Sequence, residues 1–240
     1  VKTLAALLDG FLALPLADVE TVLGGRRAVI LAPHPDDESI GCGGLIAAAC
    51  AAGLPPAVVI MTDGAASHPG SAAYPPARLA ALREAEAAAA VALLGLPAEN
   101  LFYLRHPDTG LAAAGAGALE QVLRIAAMTQ GGLIIAPWAG DPHCDHKAAA
   151  AIGAAAAACL NARLLSYPVW GWLQPGTARV GERRTGGWRL DISAHLAAKA
   201  AAVAAHRSQH HGLIKDSPNG FFLPDALLAI SRRDFEVYIA

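Results

Sequence analysis

The sequence predicts an α/β fold with a mostly parallel sheet and helices on both faces. Three observations carry that prediction: short apolar runs of strand length recur along the chain, helical stretches separate them, and turn residues punctuate the junctions. With 240 residues, 55% of them hydrophobic, the chain is long enough to bury a sizeable core.

The opening VKTLAALLDGFLALPLADVE has Lys2 and Asp9 but no basic run ahead of an apolar stretch, so it is expected to be a mature helical start. Ala28–Ala32 is a first strand, leading to a helix near Gly44–Ala52. Ala57–Thr62 is a second strand, and Arg78–Leu94 has helical composition stopped by Gly95. Leu101–Leu104 is a short third strand, Leu119–Thr129 a helix, and Gly132–Pro137 a fourth strand. Asp145–Leu160 is an alanine-rich helix and Leu164–Tyr167 a fifth strand. Later come Trp188–Ile192 as a strand, Ala194–Ala205 as a helix and Phe235–Ile239 as a closing strand. Ala65–Pro76 and Gln174–Gly187 are loops. No repeat or linker divides the chain, so a single domain over residues 1–240 is expected.

Charge excludes some partners. The formal net charge is -2 and no Lys/Arg run exists, so neither a nucleic-acid footprint nor a polybasic membrane anchor is expected. Mean hydropathy is +0.40, but it comes largely from segments such as Ala85–Ala90 and Ala154–Ala158. Each apolar run is broken before the roughly 18 residues a spanning helix needs, so no transmembrane segment is expected. Cys42, Cys50, Cys144 and Cys159 fit neither a CxxC pair nor a disulfide frame. Reduced thiols and a cytoplasmic location follow as expectations. A homo-oligomer is compatible with the sequence.

Two clusters carry chemistry. Pro33-His34-Pro35-Asp36-Asp37-Glu38 leaves the first strand, and Asp141-Pro142-His143-Cys144-Asp145-His146 follows the fourth. Solvent exposure explains an acidic turn alone, and Asp145 alone suits a helix N-cap. Two His/Asp clusters at the carboxyl ends of strands in one sheet outweigh both explanations, because open parallel sheets collect functional groups on that rim. Neutral imidazoles with a carboxylate suit Zn²⁺, which in catalytic sites takes three protein ligands and keeps a position for water. His34, Asp37 and His146 make that set, with Fe²⁺ or another divalent ion as alternatives. Asp36 is expected beside the water as general base. His143 is expected across the metal, as imidazolium stabilising an oxyanion or protonating a leaving amine, with Asp145 orienting its ring.

HPDDE after an early strand, paired with a later H-x-D-H, resembles the PIG-L/LmbE family of N-acetylglucosaminyl deacetylases. The resemblance runs from Leu31 through Gln209. It includes REAEAAAAVALLG at Arg83 to Gly95, His106-Pro107-Asp108, and KAAAVAAHRSQ at Lys199 to Gln209. It implies a Rossmann-like sheet and hydrolysis of an acetamide on an amino-sugar conjugate. It also implies metal ligation by His34, Asp37 and His146, a base in Asp36, and an electrostatic role for His143. Arg83 and Asp108 match positions that hold sugar or polyol hydroxyls. Cys144 stands where the family frequently has proline, and is taken as an inert replacement over the alternative of an oxidation-sensitive thiol at the site.

Other residues have plain structural explanations. Glu38 suits a helix start. Asp63 either lines the pocket or makes a turn, and His206 and Gln209 either border the pocket or end a helix. Trp138, Trp170 and Trp172 either stack on a sugar or pack in the core. Competing functions are an amidase on another small amide, a non-haem Fe(II) oxygenase built on the same two His and one carboxylate, and a carbohydrate-binding protein without catalysis. Asp36 favours hydrolysis over the oxygenase.

Overall fold

The computed structural model describes residues 2–180 and 186–240, so residues 181–185 of the expected loop at Gln174–Gly187 lie outside the described residues. β1 (Lys2–Thr3), α1 (Leu4–Leu12), β2 (Leu16–Ala17) and α2 (Val19–Leu23) open the chain. The alternating body runs β3 (Ala28–Ala32), α3 (Asp37–Ala51), β4 (Ala57–Thr62), α4 (Pro76–Leu93) and β5 (Leu101–His106). It continues through α5 (Leu111–Thr129), β6 (Leu133–Pro137), α6 (Cys144–Leu160) and β7 (Arg163–Tyr167). β8 (Arg179–Val180), β9 (Gly187–Asp191), α7 (Leu196–Ala205), α8 (Asp225–Ser231) and β10 (Phe235–Ile239) follow.

Eight strands form one sheet in the order β2-β9-β10-β7-β6-β3-β4-β5. β7, β6, β3, β4 and β5 pair in parallel, while β10 runs antiparallel to both β7 and β9. The sheet is therefore mixed but mostly parallel, with an α/β architecture. Strand residues alternate between faces, and the core divides accordingly. Ile30 of β3 and Ile60 of β4 join the side with α3, α4 and α7, whereas Leu31 and Val59 join the side with α5 and α6. All four are fully buried, and each such side chain contributes roughly 1.5–3 kcal/mol of transfer free energy.

β3 and β6 lie side by side at the centre, yet the chain goes from β3 to β4 on one flank and from β6 to β7 on the other. That reversal opens a crevice at their carboxyl ends, where ligands bind in folds of this kind. The fold thereby brings together the turn after β3 and the turn after β6. α6 lies close against the sheet: a β-carbon on Gly153 would fall 2.6 Å from the Ala136 β-carbon. This close approach lets the middle of α6 pack directly on β6.

α5 is long and apolar enough by composition to cross a membrane, because Glu120 and Arg124 do not lower its mean hydropathy sufficiently. In the fold it lies against the sheet, with Leu111, Ala118, Val122, Ile125 and Ala126 buried. All four cysteines are unpaired.

Candidate active site

The turn after β3 is built on its own hydrogen bonds. The His34 carbonyl accepts from the N–H groups of Asp36 (2.9 Å) and Asp37 (3.3 Å), and the His34 N–H donates back to Asp37 Oδ2 (3.0 Å). Asp37 and Glu38 occupy the first turn of α3, where negative charge suits the helix dipole. Across the crevice, His143 caps α6: its Nδ1 accepts the Asp145 N–H at 3.2 Å.

Three of the expected ligand residues converge. Asp37 Oδ2 lies 3.2 Å from His34 Nδ1 and 3.2 Å from His146 Nε2. One ligand atom from each of the three residues lies within 4.8 Å of the others. Donors about 2.0–2.2 Å from a tetrahedral zinc are themselves about 3.3 Å apart, so these spacings fit. His146 Nε2 is buried and faces Asp37 Oδ2 without hydrogen-bond geometry, as two ligand atoms sharing a cation would.

Each ring is held from behind by carboxylate. His146 Nδ1 meets Asp141 Oδ2 at 3.0 Å, and His34 Nε2 meets Asp145 Oδ2 at 3.1 Å and Asp108 Oδ1 at 3.3 Å. Such partners fix tautomer and ring orientation in metal-binding histidines. The sequence assigns Asp145 to orienting His143, and the geometry differs. Its carboxylate serves His34 and the N–H groups of Thr109 (2.8 Å) and Leu111 (3.1 Å), and only its backbone touches His143. His34, His143 and Asp145 also have spacing that suits a cation, but those three contacts leave Asp145 as an anchor.

Charge follows from this packing. Burial opposes protonation of His34 and His146, but the carboxylates outweigh it. Asp108, Asp145 and Asp37 hold His34 well above its usual range, and Asp37 and Asp141 raise His146 to about 9. Burial also opposes ionisation of Asp37, yet His146 and His34 pull its carboxyl well below the usual range. A divalent cation would displace the protons these rings otherwise hold. His143 is lowered by burial and by the neighbouring charges of His34 and His146. The sequence expects an imidazolium; these shifts favour the neutral ring instead, and with Nδ1 accepting from the backbone its proton is on Nε2.

Asp36 lines the cavity beside the ligand cluster. Burial raises its carboxyl to about 6, against the pull of Arg83. The sequence expects Arg83 to reach a sugar hydroxyl. Instead its Nη2 donates to Asp36 Oδ2 (3.0 Å) and the Pro35 carbonyl (3.0 Å), and its Nη1 to the Gly64 carbonyl (2.9 Å). Asp108 lines the cavity and also accepts the Ala66 N–H at 3.1 Å. Asp63 makes its turn, accepting from Ala65 and Asp108 N–H groups. Trp170 and Gln209 line the cavity. Trp138 and Trp172 instead pack edge-on against Phe11 of α1. Cys144 is exposed, its Sγ 4.0 Å from His143 Nδ1.

Two anchors have no role at the site in the sequence reading, which gives Glu38 only a helix-start charge. Asp141 accepts, besides His146, the N–H groups of Val169 (3.0 Å), Trp170 (3.2 Å) and Gly171 (2.6 Å). Glu38 is fully buried, paired with His206 Nε2 at 3.0 Å while accepting the Asp36 N–H at 2.9 Å. Asp141→Asn should weaken metal binding about 10–100-fold, the usual effect of removing such a partner. Competition with a chromophoric chelator measures this, and unchanged affinity would make Asp141 a loop anchor alone.

The sequence model of one family, PIG-L: GlcNAc-PI de-N-acetylase, matches residues 29–157. The chain belongs to the PIG-L family. The match covers both clusters and the two central strands that present them. No curated protein sequence matches the chain. Among solved structures, it resembles a conserved protein from Thermus thermophilus, with 26% identity, TM-score 0.64, and 90% of this chain and 94% of that one covered. It also resembles N,N'-diacetylchitobiose deacetylase from Pyrococcus horikoshii, with 24% identity, TM-score 0.62, and 80% and 74% covered. A third is GalB, the 4-carboxy-2-hydroxymuconate hydratase from Pseudomonas putida, with 16% identity, TM-score 0.59, and 86% and 82% covered. This PIG-L chain thus shares its fold with proteins of different reactions, so its function has to be argued from the site.

Proposed function

We propose that this chain is a divalent-metal-dependent hydrolase, with zinc as the preferred ion, that removes the N-acetyl group from an N-acetylglucosamine-type conjugate. The observation that carries this reading is the pairing of two unlike aspartates. Asp37 lies between two histidine rings that are each anchored by carboxylate, while its neighbour Asp36 faces the cavity and is held by Arg83. PIG-L membership, and the chitobiose deacetylase among its structural neighbours, support the amino-sugar amide. Unpaired cysteines fit a reducing compartment such as the cytoplasm.

His34, Asp37 and His146 would hold the ion, which when bound would lower the pKa of water and polarise a carbonyl. Asp36 takes the proton from the attacking water, and Arg83 fixes the carboxylate that does so. His143, neutral and with its proton on Nε2, donates to the oxygen that gains charge. Asp36 then returns its proton to the leaving nitrogen. One water is consumed, the C–N bond breaks, and the products are an amine and a carboxylic acid. Asp108 accepts a substrate hydroxyl beside His34.

The test is metal content. Purified protein should hold about one divalent ion per chain, and His146→Ala should not. Equal affinity in parent and variant would overturn the ligand assignment.

A further inference from the structure

The cavity, about 250 Å³, is lined by groups of two kinds of chemistry. Asp36, Asp37, Asp108 and His143 supply polar lining, and Ile40, Trp170, Phe221 and Leu223 supply apolar lining. The apolar lining comes from separate segments, each tied by backbone hydrogen bonds. Ile40 N–H donates to the Asp36 carbonyl one turn back along α3. Trp170 N–H donates to Asp141, the carboxylate that also holds His146. Phe221 N–H donates to the Ser67 carbonyl at 2.7 Å, and Leu223 N–H to the Gln209 carbonyl at 2.9 Å. The Trp170 and Phe221 rings meet edge-to-face, with centroids 5.6 Å apart. This is a fixed apolar surface, tied to the candidate metal centre through Asp141.

The balance of charge is a second observation. Among the described lining residues, Arg83 is the one side chain with a permanent positive charge. It is 2% exposed, and its two terminal nitrogens are taken by Asp36 and two carbonyls. His143 has Nδ1 occupied by a backbone N–H. Ser67, Thr109, Gln209 and Asn219 add only neutral polar groups. Three carboxylates face the same space. A divalent cation on His34, Asp37 and His146 offsets two negative charges but supplies no group for a remote anion. That cation and Arg83 balance the three carboxylates in number, so a phosphate or carboxylate elsewhere on the substrate would be desolvated without, among the described residues, a free guanidinium or ammonium to pair with.

We infer that this pocket takes an uncharged conjugate bearing an apolar group, and discriminates against conjugates that carry a phosphate or carboxylate beyond the reacting amide. The inference rests on the deacetylase reading of the same site. The apolar group belongs either to the aglycone or to an acyl chain longer than acetyl, since both offer the apolar lining the same chemistry.

Four synthetic β-glucosaminides decide it: N-acetyl phenyl, N-acetyl 4-carboxyphenyl, N-acetyl methyl and N-hexanoyl methyl. Binding by calorimetry and release of carboxylic acid are measured on zinc-loaded protein. The phenyl glycoside should bind at least about tenfold more tightly than the 4-carboxyphenyl one. A gain of about tenfold from methyl to phenyl places the apolar group on the aglycone, and the same gain from acetyl to hexanoyl places it on the acyl chain. Phe221→Ala should erase that gain and Phe221→Leu should keep most of it. Equal or tighter binding of the 4-carboxyphenyl glycoside overturns the inference, as does the absence of any apolar gain. If the binding order holds but no acid is released, the deacetylase reading fails and the inference about the pocket stands. If all four release acid with equal kcat/KM, the reading stands and the inference falls.

Discussion

Asp36→Asn should keep its metal and lose roughly 10²-fold or more in kcat, the lower end of what a positioned general base contributes. The substitution preserves shape and an acceptor for Arg83, so the guanidinium keeps its contacts to the Pro35 and Gly64 carbonyls. Asp37→Asn should do the reverse and weaken metal binding, since its Oδ2 lies 3.2 Å from both His34 Nδ1 and His146 Nε2. The base works deprotonated, so parental kcat/KM should rise with pH through the Asp36 pKa. Burial sets that value at about 6, and a bound cation would lower it. The acid limb should therefore fall at or below about pH 6 and vanish in Asp36→Asn. Metal content and kcat measured together decide the matter. A metal-replete Asp36→Asn with parental turnover would remove the base, and metal loss there with retention in Asp37→Asn would exchange the two roles.

His143→Ala should retain metal and lose about 10²–10³-fold in kcat, equivalent to about 2.7–4 kcal/mol for a single lost donor to a developing oxyanion. His143 is also the N-cap of α6, so the variant should lose about 0.5–2 kcal/mol of stability as well. His143→Ser separates the two effects, because a serine hydroxyl can accept the Asp145 N–H. Thermal stability should recover in the serine variant while turnover stays low. Turnover that recovers with stability would show that His143 serves the helix alone.

The parallel body was legible because β3, β4, β6 and β7 are apolar runs of strand length bounded by turn residues. Their order in the sheet was not, since pairing is non-local, and with it the placement of both clusters at the reversal of strand order stayed hidden. α3 begins at Asp37, seven residues before the expected Gly44, because Gly41-Cys42-Gly43-Gly44 resembles a loop. Glycine is needed there for packing, as a β-carbon on Gly44 would fall 2.4 Å from Ile192 Cγ2. α5 likewise starts at Leu111, through an Ala/Gly stretch of weak pattern. The short elements β1, β2, α2, β8 and α8 offered too few residues for any periodicity.

The same divide runs through the site. His34, Asp36, Asp37, His143 and His146 announced themselves by residue type and spacing. Their supports did not. Asp141 stood within the second motif, but the N–H groups it accepts belong to Val169, Trp170 and Gly171, far along the chain. Glu38 looked like a helix-start charge until His206, from the end of α7, met it in the interior. Arg83 carried the right residue type, yet only the fold shows that Asp36 claims its guanidinium.

Stoichiometric product analysis decides whether the chain is a metal-dependent deacetylase. An N-acetylglucosaminide with an uncharged aryl aglycone is incubated with the metal-loaded protein, and acetate and free primary amine are both quantified. Hydrolysis predicts one acetate for each amine, no dependence on dioxygen, loss of both products on chelation and their return on adding zinc. Turnover that survives chelation, consumes dioxygen, or adds water to the substrate without releasing acetate would contradict it.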